Sequence, residues 1–284
     1  MKRKLLISLG AALALLLMLD SCMQFRMSKT EIDTEFKKRN QHGVQSDYQV
    51  GKRTMHYAKA GNEAGPVVLF IHGSPGSLSD FIQFLTDTTL QKQALLISVD
   101  RPGFGHSNFG WGEPSLAEQS KMIKPLIEQY KQNKRVILVG HSLGGPVIAK
   151  LAIDYPDLID GLVFVAGSVD PKLEPPNWWR TPFATPFFRW VLPRSLRASN
   201  DEIYPLRTQL EEMEPYWKNI KCRVIVVQGT KDSLVPAANA EFIRIHLTST
   251  APKMIYEEGM DHFVPWSHPH LIKNAVVDMV NVEK

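Results

Sequence analysis

Cysteine is scarce in this sequence. Two occur among 284 residues, Cys22 and Cys222, too few for a disulfide framework, so the fold must stand on its apolar core. Apolar stretches of membrane-spanning length are also missing. The run at 5–19 is shorter than the roughly 20 residues a spanning helix needs. Charge of one sign does not dominate: 33 basic side chains face 29 acidic ones, which is not the profile of a nucleic-acid binder. Neither H-E-x-x-H nor a cysteine cluster occurs, so no metal and no cofactor is expected. The absence of internal repeats and low-complexity segments excludes solenoids and long disordered tracts.

What is present begins with a basic cluster, Lys2, Arg3 and Lys4, ahead of the 5–19 run. Basic residues followed by a short apolar run read as a secretory signal. The run ends in Leu19-Asp20-Ser21-Cys22, which resembles the lipobox of bacterial lipoproteins. That resemblance implies that Cys22 becomes the lipid-modified first residue of the mature chain. A plain signal peptide cut elsewhere is the alternative. Residues 1–21 hold three of the basic and one of the acidic side chains, so the formal charge falls from +4 to +2 without them. Residues 23–40 are polar and mixed in charge, and are expected to form a tether. The expected location is the bacterial cell envelope, anchored to a membrane by lipid and facing the periplasm or the surface. Cys222, opening an apolar strand, is expected to be a small buried hydrophobe.

From residue 50 onward short apolar runs alternate with longer helical patterns. The expected strands are 54–59, 67–71, 94–99, 136–139, 162–165, 224–227 and 253–256; the expected helices are 79–90, 115–132, 143–154, 237–246 and 269–282. Near-continuous apolar runs mark strands buried on both faces. The alternation predicts an α/β fold with a mostly parallel, doubly wound sheet. Residues 170–219 break the rhythm, rich in proline and aromatics (Trp178, Trp179, Phe183, Phe187, Phe188, Trp190). They are expected to form a packed helical cap over the carboxyl edge of the sheet, where such folds bind ligands. The chain thus divides into a signal at 1–21, a tether and first edge strand at 22–49, a core at 50–169, the cap at 170–219, and the rest of the core at 220–284.

The stretch VILVGHSLGG, residues 136–145, runs from a strand through a turn into a helix. Gly140-His141-Ser142-Leu143-Gly144 fits the G-x-S-x-G pattern, in which the serine sits on a strained turn and side chains at either glycine would meet backbone. A serine hydroxyl needs a base to act as a nucleophile. Two candidates follow the ends of later strands: Asp232, after Val224–Gly229, and His262, in Glu258-Gly-Met-Asp-His262. The order Ser142, Asp232, His262 suits a triad in which histidine takes the serine proton and aspartate orients the ring. Asp170, after an earlier strand, is a rival for the acid. Asp261 is expected to be solvated.

Together with Ile71-His72-Gly73-Ser74-Pro75-Gly76, Asp100-Arg-Pro-Gly-Phe-Gly-His-Ser107 and Gly229-Thr-Lys-Asp232-Ser-Leu-Val-Pro236, these motifs make residues 50 onward similar to the capped, serine-nucleophile members of the α/β-hydrolase superfamily. The resemblance implies an oxyanion hole from the backbone N–H groups of Ser74 and Leu143, and structural roles for His72, His141 and the 100–107 loop. It implies hydrolysis of an ester or related acyl bond in a small to medium, largely apolar small-molecule substrate. Alternatives are a serine aminopeptidase, a carbon–carbon bond hydrolase, and a non-catalytic lipoprotein that binds a ligand. The cap tryptophans Trp178, Trp179 and Trp190 either line a pocket or pack the cap on itself. Its arginines, Arg180, Arg189, Arg194 and Arg197, form a solvated face or touch lipid headgroups.

Overall fold

The computed structural model describes residue 10 and residues 14–281; the basic cluster at 2–4 lies outside the described residues. Eight strands form one sheet: β1 (Gly43–Val50), β2 (Arg53–Gly61), β3 (Val67–Ile71), β4 (Leu95–Val99), β5 (Val136–His141), β6 (Gly161–Val165), β7 (Arg223–Gly229) and β8 (Lys253–Glu257). Their spatial order is β1-β2-β4-β3-β5-β6-β7-β8. β2 runs antiparallel to both neighbours, and every other pair is parallel. The seven strands expected from apolar runs all form. Besides a helical stretch at 14–22, the helices of eight residues or more among the described residues are α1 (Lys29–Lys38), α2 (Leu116–Lys131), α3 (Gly144–Asp154), α4 (Arg194–Ile203), α5 (Leu206–Met213), α6 (Ala238–His246) and α7 (Pro269–Val280).

Successive side chains of a strand point to opposite faces, and here both faces are covered. In β3, Val67, Leu69 and Ile71 join a core with α2, α3, α5 and α6. Val68 and Phe70 join a second core with α1 and α7. Each fully buried aliphatic or aromatic side chain contributes about 1.5–3 kcal/mol. The helix expected over 79–90 is instead broken at Asp87, whose carboxylate caps a new turn by accepting from Thr89 and Leu90 N–H groups.

Two expectations are corrected. The tether expected at 23–40 is folded from Ser28 onward. Ser28 and Glu31 form a reciprocal capping box that starts α1, and Ile32 and Phe36 are buried. The Phe36 ring fills the space a Cβ at Gly43 would need, so α1 closes over β1. The 170–219 insertion does lie over the cavity of Ser142 as a cap, but its aromatics are not packed inside it. Its later part, with Leu206, Leu210, Met213 and Trp217, belongs to the core on the α2–α3 side. Its earlier part, short 3-10 turns followed by α4, leaves Trp178 78% and Phe187 80% exposed. Prolines at 175, 176, 182 and 186 prevent a continuous helix that could turn one apolar face inward.

The junction between cap and core is polar. Arg101, just past β4, and Glu202, on α4, are both buried and form a two-pronged ion pair at 2.5 and 2.9 Å. Arg101 also donates to the carbonyls of His72 and Gly73 at 2.8 and 2.7 Å. Gln119 joins from α2, donating to Glu202 and accepting from Arg101, both at 3.0 Å. A buried guanidinium deprived of its carboxylate costs about 3–5 kcal/mol. Glu202→Gln is therefore expected to lower unfolding stability by about that amount, read from urea titration. Arg101→Met combined with Glu202→Leu should recover most of the loss. An unchanged midpoint for Glu202→Gln would show that the pair is not load-sharing.

Candidate active site

β5 ends one residue before Ser142, and the turn there is tight. Ser142 has φ +53°, a left-handed conformation that costs a non-glycine residue about 1–3 kcal/mol. A Cβ on Gly140 would lie 2.4 Å from the Gly144 carbonyl oxygen, and one on Gly144 would lie 2.2 Å from that of Ile71. The glycines thus let β5, α3 and the β3 loop meet behind the serine. The Ser142 N–H donates to the Val165 carbonyl at 3.0 Å, which ties the turn to β6. The N-terminus of α3 lies directly behind Leu143, and its dipole favours negative charge there.

His262 follows β8, and its Nδ1 lies 2.8 Å from Oδ2 of Asp232, which follows β7. The other Asp232 oxygen accepts from the N–H groups of Leu234 and Val235 at 3.0 and 2.7 Å. The carboxylate is held on both sides, and His262 Nε2 is left free for a substrate or serine proton. His141 Nε2 lies 2.9 Å from the His262 carbonyl oxygen. Burial and the neighbouring His262 push the His141 pKa down to about 3, so its ring is neutral and donates that hydrogen bond. Ser142 and His262 line one cavity without a direct hydrogen bond between them; such bonds often tighten only around substrate.

Ser74 and Leu143 line the same cavity, of about 680 Å³. Their backbone N–H groups donate to no partner among the described residues. The Ser74 hydroxyl instead donates to Ser199 on α4 at 2.8 Å, tying the loop to the cap. Apolar walls come from Leu196, Ile203, Leu206, Val235 and Trp266.

Asp170, the rival acid, is turned to the Lys172 N–H at 2.8 Å, while Asp261 is exposed and accepts from Phe263. Trp178, Trp179 and Trp190 do not line the cavity and stand in solvent. Cys22 is exposed. Cys222 is half-buried against the core, and burial pushes its thiol up to about 12.

Several cavity residues have no motif to announce them. Phe25 comes from the stretch expected as tether. Glu174 accepts from the Ser168 hydroxyl, and burial raises its pKa. Asp80 stands behind the Ser74 loop with an oxygen 3.3 Å from the Ser77 N–H. Outside the cavity, Asp100 of the 100–107 motif shapes that loop by accepting from Leu78 and His106 N–H groups, both at 2.7 Å.

A family model described as alpha/beta hydrolase fold matches residues 66–191. Protein PHYLLO of Arabidopsis thaliana is 32% identical over 123 residues, 40% of this chain and 7% of that protein. The dihydrolipoyllysine-residue acetyltransferase component of the acetoin cleaving system of Cupriavidus necator is 27% identical over 217 residues, 66% of this chain and 57% of that protein. The chain therefore spans less than two thirds of these curated relatives. Among solved structures, one described as a membrane phospholipase A superposes with TM-score 0.67 at 17% identity, covering 99% of this chain and 100% of its own.

The buried carboxyls make the fold pH-dependent. Burial raises Asp80 to about 8 and Asp100 to about 7, from 3.8. Between those values the folded state keeps protons that the unfolded chain releases, so stability falls as pH rises. Burial lowers His56, His72, His106 and His141 below 6.5; their opposite effect, stability gained with rising pH, is nearly complete about one pH unit above 6.5. From about pH 7.5 to about pH 9 the carboxyls decide. The melting temperature should drop across that window, and Asp80→Asn should flatten the drop. Circular dichroism melts at both ends test this; a rising melting temperature would refute it.

Proposed function

We propose that this chain is a serine hydrolase of the α/β-hydrolase superfamily that cleaves an ester or related acyl bond through a covalent acyl-enzyme. The observation that carries the proposal is one cavity holding a serine on a left-handed turn, a histidine bonded to a buried aspartate, and two unpaired N–H groups. In the first step Ser142 Oγ attacks the acyl carbon and His262 Nε2 takes its proton. Negative charge on the acyl oxygen is met by the N–H groups of Ser74 and Leu143, a donor of this kind contributing about 3 kcal/mol to catalysis. Collapse expels the leaving group with the proton from His262. Water then attacks the acyl-serine, His262 taking its proton and returning it to Ser142 as the acid leaves. Asp232 holds the tautomer and stabilises the imidazolium.

The apolar walls favour an acyl or aryl group. An aminopeptidase would need a free carboxylate for the substrate ammonium. Glu174 already accepts from Ser168 and feels the positive charge of Arg207 and Arg180, and Asp80 holds its proton up to about pH 8.

Ser142→Ala is expected to remove labelling by a fluorophosphonate and to cut hydrolysis of p-nitrophenyl butyrate by several orders of magnitude. Asp232→Asn should cost roughly 10⁴-fold, and Asp170→Asn little. Equal turnover by wild type and Ser142→Ala would dismiss the nucleophile. Acetate and butyrate esters should be cleaved faster than palmitate; an optimum at palmitate would replace esterase by lipase.

We further propose that Cys22 carries the lipid that holds the protein at a membrane. Among the described residues no helix is long and apolar enough to cross one, and Cys22 is exposed at the end of a helical stretch, 14–22. Stable anchoring needs about two acyl chains or an equivalent second signal. Cys22→Ser should release the protein from the membrane fraction or leave the chain unprocessed. Unchanged fractionation with no lipid mass on Cys22 would exclude the anchor.

A further inference from the structure

Six aromatic side chains and four arginines fall within residues 175–200, with no lysine and no acidic residue among them. Most of the aromatics are not packed: Trp178, Trp179, Phe187, Phe188 and Trp190 are each about half exposed or more. The arginines lie against them. Arg180 stacks over Trp179 at 4.2 Å and Arg197 over Trp190 at 4.2 Å. The Nε groups of Arg180, Arg189 and Arg197 have no hydrogen-bond partner. A contiguous aromatic surface left in water marks an interaction site. Amphipathic indole rings mixed with arginine are what a bilayer interface selects: the rings settle at headgroup depth, and the guanidinium groups meet phosphate.

The course of the N-terminus picks the occupant. Ser195, on α4, donates to the carbonyl of Met23, and Arg194 pairs with Asp20 at 2.7 Å. The chain leaves the domain beside this surface, and the residues it leads to, Leu15, Leu17 and Met18, are exposed and apolar. Whether the apolar stretch itself or a lipid on Cys22 enters a membrane, that membrane lies next to the cap. Cleavage ahead of Cys22 would also remove Asp20 and free Arg194 for an anionic headgroup.

We propose that the 178–191 face of the cap docks on a lipid bilayer containing anionic phospholipid, as a second contact besides the N-terminus. Docking sets the rim of the cavity at the membrane: Arg180, which stacks on Trp179, also lines the cavity of Ser142, as does Phe25. An acyl substrate dissolved in the bilayer then reaches the serine without crossing bulk water. The docking does not depend on the acyl-transfer chemistry, which hydrolysis of water-soluble p-nitrophenyl acetate reports separately.

The test uses the full chain with phosphatidylcholine vesicles, with and without phosphatidylglycerol, whose acyl chains carry bromine to quench nearby tryptophan. Wild type should be quenched, more so with phosphatidylglycerol. Trp178→Phe with Trp179→Phe should lose about half of the quenched intensity, since these are two of the three exposed tryptophans on the face, Trp190 being the third, while Trp217 is buried in the core. Trp178→Ala, Trp179→Ala and Phe187→Ala together should lower quenching of the tryptophans that remain, Trp190 among them, with hydrolysis of p-nitrophenyl acetate unchanged. Equal quenching in wild type and the Trp178→Phe, Trp179→Phe variant would overturn the proposal. So would absence of quenching in wild type, or sedimentation showing that the face is covered by a second copy of the chain.

Discussion

The guanidinium of Arg101 is where the two halves of this molecule are joined. It is fully buried, so its charge must be answered locally, and Glu202 answers it from α4. Of its other N–H groups, two take the carbonyls of His72 and Gly73 and one takes the Gln119 side chain. The loop that offers the Ser74 N–H is thereby fixed to the same ion pair that holds the cap. A shift of α4 would have to leave a buried charge unpaired or drag the loop with it. Position of the cap and shape of the proposed oxyanion hole are one variable, not two.

Around that node the site is built from neutral, rigid parts. His72 accepts from the Arg101 N–H through Nε2 at 2.9 Å and donates through Nδ1 to Gly73, so its tautomer is set. His141, neutral for the same reason of burial, fixes the backbone of His262. Neither ring competes for the proton that His262 would carry. The close approaches at Gly140 and Gly144 do the rest, because no side chain separates the serine turn from the strands that support it.

Much of this was legible in the sequence where one physical cause acts locally. Strands buried on both faces must be apolar throughout, and 67–71, 136–139 and 224–227 are. Turns with strained backbone or close contact demand glycine at set spacings, and residues 140–144 display them. Where the cause is nonlocal, the sequence is silent. α1 is polar enough to read as tether, because it buries only Ile32 and Phe36. Arg101 and Glu202 look like ordinary surface charges until a separation of 101 residues is folded away. The cap aromatics are a different case: apolar content predicts removal from water, yet in this structure they stand exposed.

The sheet order carries one consequence for biosynthesis. β5 and the Ser142 turn lie at the centre of the sheet, and their neighbours β3 and β6 precede the cap in the chain. Asp232 and His262 follow β7 and β8, which are added at one edge after the cap has been made. A ribosome therefore delivers the nucleophile well before the acid and the base that would activate it. While the chain is being made, the serine would lack its proposed base. The proposed centre closes only when the last two strands dock, so a chain ending before them would lack both its proposed acid and its proposed base.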